Sequence, residues 1–139
     1  MTTDHMGTFG CYILVGFYIY VFSIDHLMRS EFLPWHREIV GKSWAEVDSR
    51  MQTLIIGYMR AIGGCLFAVG LAYTAILAIP FLEGQAWAAF VLAATGTVAG
   101  ATALYTMLYV RRGTPAKPPI WGPIVAMLLS ILGLILFFV

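Results

Sequence analysis

The sequence predicts an all-α integral membrane protein, a four-helix bundle with a short interfacial helix in its first cytoplasmic loop. Three observations carry that reading. Four long apolar runs, about 8–29, 51–82, 86–110 and 119–139, fill most of the 139 residues, and a helix of about 20 residues crosses a hydrocarbon core of ~30 Å. The composition is 60% hydrophobic against 11% charged, with mean hydropathy +0.85, and a soluble domain this small has no interior in which to hide four such runs. The runs lack the period-two alternation of barrel strands, and in hydrocarbon only helices or closed barrels satisfy their own backbone groups.

The length allows one domain, 1–139, and the net charge of +1 gives no field that points to nucleic acid. The start, Met1 to His5, has no basic stretch ahead of its apolar run, so the first span reads as retained rather than as a cleaved signal. Cys11 opens the first span and Cys65 sits mid-way along the second. Their depths differ by roughly 10 Å at ~1.5 Å per residue, too far for a disulfide.

The first span carries a stripe of Tyr12, Gly16, Ile19, Ser23 and His26 at helical spacing. Small and hydroxylated residues of this kind form the inward face of membrane helices, and Asp25 falls on a different face. The loop that follows is long, balances four acids (Glu31, Glu38, Glu46, Asp48) with four bases (Arg29, Arg37, Lys42, Arg50), and has Pro34 to stop the first helix. Trp35, Ile39 and Val40 suit a membrane surface. Two capping boxes, Ser43-x-x-Glu46 and Ser49-x-x-Gln52, offer alternative starts for the second span.

That span ends at Pro80 to Gly84, a turn short enough to make spans two and three antiparallel neighbours. Span three is dense in small residues, and its Gly96 and Gly100 form a GxxxG that suits an internal helix contact before a subunit contact. The third loop, 113–119, is proline-rich and extended. Span four starts near Ile120, with Pro123 in its first turn.

Seven of the eight basic residues lie in loops one and three (Arg29, Arg37, Lys42, Arg50, Arg111, Arg112, Lys117) and none in the tail or second loop. The positive-inside rule puts those two loops in the cytoplasm and both termini outside. Trp35, Trp44, Trp121 and Tyr109 belt the basic side, and Trp87 marks the other.

The eighth base, Arg60, lies inside span two, and an intramembrane charge raises a functional hypothesis. It shares a helical face with Thr53, Gly57, Gly64, Phe67, Leu71 and Thr74, expected to face other helices. At matching depth stand Asp25, a bidentate partner for the guanidinium, and His26, a group that titrates near neutral pH. The expected ligand pocket is therefore Arg60, Asp25, His26, Tyr12, Ser23, Gly57 and Gly64. The competing reading makes Arg60 a snorkelling anchor. His26 and His36 with Asp25 and Glu31 lack metal-ligand spacing, no haem pair is present, and no catalytic triad, CxxC or phosphate loop occurs, so neither cofactor nor catalytic residue is expected.

Trp35-His36, Gly41-Lys42-Ser43-Trp44, Gln52-Thr53-Leu54 and Arg60-Ala61-Ile62-Gly63-Gly64 together resemble small four-span proteins of bacterial inner membranes, loosely DoxX-like in plan. The resemblance covers about a quarter of the chain. It implies a multi-pass protein of the bacterial inner membrane and brings no catalytic residue with it. The leading functional expectation is a non-catalytic protein that binds a lipid or small ligand, with an anionic lipid held by Arg60, or that serves as a subunit of a membrane complex. An oligomeric transporter or channel for a small anion or proton comes second, and a lipid-modifying enzyme third.

Overall fold

The computed structural model describes residues 6–139; the tail, with His5, lies outside them. Five α-helices and no strand occur among the described residues: α1 Met6–Met28, α2 Pro34–Val40, α3 Ser49–Ile76, α4 Ala86–Gly113 and α5 Trp121–Phe137. A 3-10 turn, Trp44–Glu46, precedes α3, and a π-helical segment, Leu77–Phe81, prolongs it. Three helices are long and apolar enough to cross a membrane: α1, α3 with its extension (Ser49–Phe81, 33 residues) and α4. The fifth, apolar but only 17 residues long, is shorter than the run 119–139 suggested.

Local chemistry explains the boundaries. Pro34 occupies the first turn of α2, where its missing N–H costs nothing. Gly41 closes that helix at φ +67°, donating its N–H to the Arg37 carbonyl. The Ser43 box forms as expected: the backbone N–H and the hydroxyl of Ser43 both donate to Glu46 Oε2, at 2.7 and 2.6 Å. The Ser49 box does not form. Asp48 caps α3 instead, its Oδ1 accepting from the N–H groups of Arg50 and Met51, and Gln52 donates from Nε2 to the Trp44 carbonyl at 2.7 Å. An ionised carboxylate is at least as good a cap as a hydroxyl, and Asp48 lies one residue closer to the break. Pro80, which cannot donate to an α-helical ladder, sits within the wider π turn.

The packing centres on α1. It runs antiparallel to α3, as Tyr20 near Gly70 and Gly16 near Tyr73 require, and antiparallel to α5, where Gly7 meets Leu136 and Tyr12 meets Gly133. On its other side α5 lies antiparallel along α4: Gly96 faces Ser130 and Val15, and Gly100 faces Met127 and the Pro123 carbonyl. The GxxxG of α4 is thus filled from within the chain. The whole sequence-predicted stripe of α1 is buried: Tyr12, Gly16, Ile19, Ser23 and His26.

The spans either side of the short turn are antiparallel and touch, as expected of neighbours, but their contact stays near the turn. Beyond the turn α3 follows α1 and α4 follows α5. Between α3 and α4 a small apolar cleft of about 60 Å³ separates Leu66 from Ala99 and Ala103, floored by Val15 and Ile19. A short turn fixes only the ends of two helices; the long contact goes where small residues allow backbones to close.

At the turn end Phe81 gathers Phe9, Tyr12 and Phe137 at ring-centroid distances of 6.3, 5.6 and 5.9 Å. At the opposite end the first and third loops meet, the Lys117 N–H donating to Glu38 Oε2 at 3.2 Å. Arg111 donates from Nη2 to the Pro118 carbonyl at 2.7 Å. The seven loop bases therefore share one end of the molecule.

A side chain at Gly96 would run into the Ser130 hydroxyl and Val15. Gly96→Leu is expected to lower the free energy of unfolding in detergent by about 1–3 kcal/mol, the usual cost of overpacking. Tryptophan fluorescence during SDS titration reads this. Unchanged stability with a smaller particle mass would instead place Gly96 at a subunit contact.

Candidate functional site

The structure distributes the expected pocket residues over three environments. Tyr12 is fully buried, its hydroxyl donating to the Ala89 carbonyl at 3.0 Å. Ser23 is fully buried and donates to the Gly63 carbonyl at 2.8 Å. These are helix-to-helix bonds of the kind worth about 0.6 kcal/mol, and at most ~1.7, inside a membrane. His26 is buried with Nδ1 2.9 Å from the Phe22 carbonyl and its ring 4.2 Å from that of Phe22.

Arg60, Gly57 and Gly64 lie on the exposed side of α3, with Thr53, Phe67, Leu71 and Thr74. The inward face of α3 is instead Met59, Gly63, Gly70 and Tyr73. Asp25 does not reach Arg60. It pairs with Arg29 one turn on, Nη2 to Oδ1 at 2.9 Å and Nε to both carboxylate oxygens at 3.1 Å. The antiparallel register of α1 and α3 sets Arg60 beside the last turn of α1, on the exposed side of α3 and away from Asp25 and His26. Near that end, a long side chain on an exposed face extends toward water, which favours the anchor reading.

The chemistry gathers instead in the first loop. Between α2 and the 3-10 turn lies an open basin of about 1020 Å³. Its apolar wall is Phe32 and Trp44, packed edge-to-face at 5.0 Å. Arg37, Lys42 and Glu31 line it, and none of the three side chains has a hydrogen-bond or ion-pair partner among the described residues. Glu46 lies on the rim. The Ser43 hydroxyl and N–H hold its carboxyl below the usual carboxylate range, and the charges of Arg37 and Lys42 add to the effect. The sequence offered signals for this site: a long loop with balanced charge, breakers at Pro34 and Gly41, and the Ser43–Glu46 box. Only the fold-back of α2 against the turn makes them converge.

Beneath the basin His36 anchors α2. Its Nδ1 accepts the Leu33 N–H at 3.3 Å, and its ring lies 3.9 Å from that of Trp35. Burial, with the neighbouring charges of His26 and Arg29, pushes its pKa from 6.5 down to about 4. The fold therefore holds a neutral imidazole, as an Nδ1 acceptor demands. His36 and His26 do come near one another, but no group of three or more metal-ligating side chains occurs among the described residues.

No family model, curated protein or solved structure matches this chain.

Above pH 6.5 His36 is neutral folded or unfolded; between 6.5 and about 4 only the unfolded chain takes up the proton. Stability contributed by the neutral ring is thus lost as pH falls through that window. Unfolding free energy measured against pH is expected to drop more steeply for the wild type than for His36→Gln. Parallel profiles would contradict a neutral, half-buried His36.

Proposed function

We propose that this chain is a four-crossing protein of the bacterial inner membrane with both termini outside, and that it binds the polar headgroup of a membrane lipid in the loop basin without chemical turnover. Support for the fourth crossing comes from α5, which lies antiparallel along the membrane-length α4. Its 17 residues reach the lower limit for a span. Support for the orientation comes from the seven loop bases at one end, which the positive-inside rule assigns to the cytoplasm.

The observation that carries the binding role is the basin itself: two unpaired cations beside an aromatic wall, in a volume suited to a small ligand. Trp35, Trp44 and Trp121 belong to the same end, and such rings settle at headgroup level. Basic groups at the cytoplasmic interface attract lipid phosphates for a physical reason: each Lys or Arg near the membrane surface is worth about 1 kcal/mol. The ligand site thus moves from Arg60 to Arg37 and Lys42. An oligomeric transporter with its subunit contact at Gly96 and Gly100 is disfavoured, because α5 already fills that pair.

Thermal unfolding of the purified protein in neutral detergent, with and without added phospholipid, tests the role. Lipid is expected to raise the midpoint for the wild type and for Arg60→Ala, and to raise it much less for Arg37→Ala/Lys42→Ala. A shift that survives the double substitution and disappears in Arg60→Ala would return the site to the membrane interior.

A further inference from the structure

The basin's charges are mixed. Arg37 and Lys42 stand against Glu31, Glu38 and Glu46, two positive charges against three negative, a net of minus one. Two of the acids are already engaged, Glu46 by Ser43 and Glu38 by the Lys117 N–H. Glu31 is exposed and has no hydrogen-bond or ion-pair partner among the described residues. A purely anionic ligand would gain from the two cations and lose to the surplus of carboxylates. A ligand carrying both signs gains from every group.

We infer that the basin is selective for a zwitterion with a phosphate and an ammonium on a short linker, the phosphate seated on Arg37 and Lys42 and the ammonium between Glu31 and the Phe32–Trp44 wall. Guanidinium and ammonium groups are the usual phosphate partners. An aromatic face beside a carboxylate is the usual site for an organic cation. Trp44 is half-buried and gives the basin its accessible ring surface, and the buried Phe32 backs it edge-to-face. Phosphoethanolamine has this chemistry, either as the headgroup of a phospholipid or as the free phosphomonoester. The inference rests on the basin being the binding site, and its test separates the two.

The full chain in neutral detergent is titrated with phosphatidylethanolamine, phosphatidylglycerol or soluble O-phosphoethanolamine, and the half-saturating concentration is read from the shift in unfolding midpoint. Phosphatidylethanolamine is expected to bind about tenfold more tightly than phosphatidylglycerol, the worth of one additional charge-assisted contact. Glu31→Gln is expected to erase that preference while leaving the phosphatidylglycerol response in place. Arg37→Ala/Lys42→Ala weakens both lipids. The substituted side chains are exposed, so each variant should unfold with the wild type when no lipid is present. A response to O-phosphoethanolamine equal to that of the lipid identifies the free ester as sufficient; a response to the lipid alone identifies the membrane as the source. Equal or tighter binding of phosphatidylglycerol, or a preference that persists in Glu31→Gln, overturns the selectivity while leaving the basin in place. Lipid responses indifferent to Arg37 and Lys42 overturn the basin as well.

Discussion

Close approach of helix backbones to α1 is the constraint on which the rest of this structure depends. Lipid tails are as apolar as leucine, so burying greasy side chains between membrane helices gains little; packing contact and hydrogen bonds must hold them. Here Gly63 of α3 comes so near α1 that an added Cβ would lie 2.9 Å from Leu27 N and the Ser23 carbonyl oxygen. Gly133 of α5 stands in the same relation to Tyr12, at 2.8 Å from Cε1. The stripe of α1 supplies what those contacts need: Ser23 bonds the backbone of α3, and Tyr12 bonds that of α4. One helix thus gathers the others.

That arrangement also decides where chemistry can occur. With the stripe used for packing, its hydroxyls are satisfied, Tyr12 by the Ala89 carbonyl and Ser23 by the Gly63 carbonyl. Two buried hydroxyls, Thr8 Oγ1 and Tyr73 Oη, have no hydrogen-bond partner among the described residues. The basin's unpaired charges, Arg37, Lys42 and Glu31, lie at the basic end, where α1 stops and the chain folds back through α2. Burial of Phe32, Leu33 and Val47 fixes that fold-back. The Glu38–Lys117 contact then ties it to the connector between α4 and α5.

The sequence made some of this legible and hid the rest for identifiable reasons. The face of α1 was readable because its small and hydroxylated residues fall on one side and bulky Phe17, Val21 and Ile24 on the other. The face of α3 was not, because it has small residues all round. Gly57, Gly64 and the charged Arg60 lie on one side, Gly63 and Gly70 on another. Adjacent positions on a helix differ by 100°, so choosing Gly64 over Gly63 turned the helix by almost a third of a revolution. The cap of α3 is Asp48 rather than Ser43 or Ser49, because the carboxylate beside Ser49 is an equally competent cap. The basin was hidden because its walls come from segments that no periodicity relates.

The neighbouring glycines of α3 supply the most direct measurement: the unfolding free energies of Gly63→Ala and Gly64→Ala in the same detergent. The methyl group at 63 meets α1, whereas at 64 it meets nothing within 4 Å. The structure predicts a loss of about 1–3 kcal/mol for Gly63→Ala and a change within about 0.5 kcal/mol for Gly64→Ala. Equal effects, or the larger loss at Gly64, would mean that α3 presents its other face to α1 and that the packing described here is wrong.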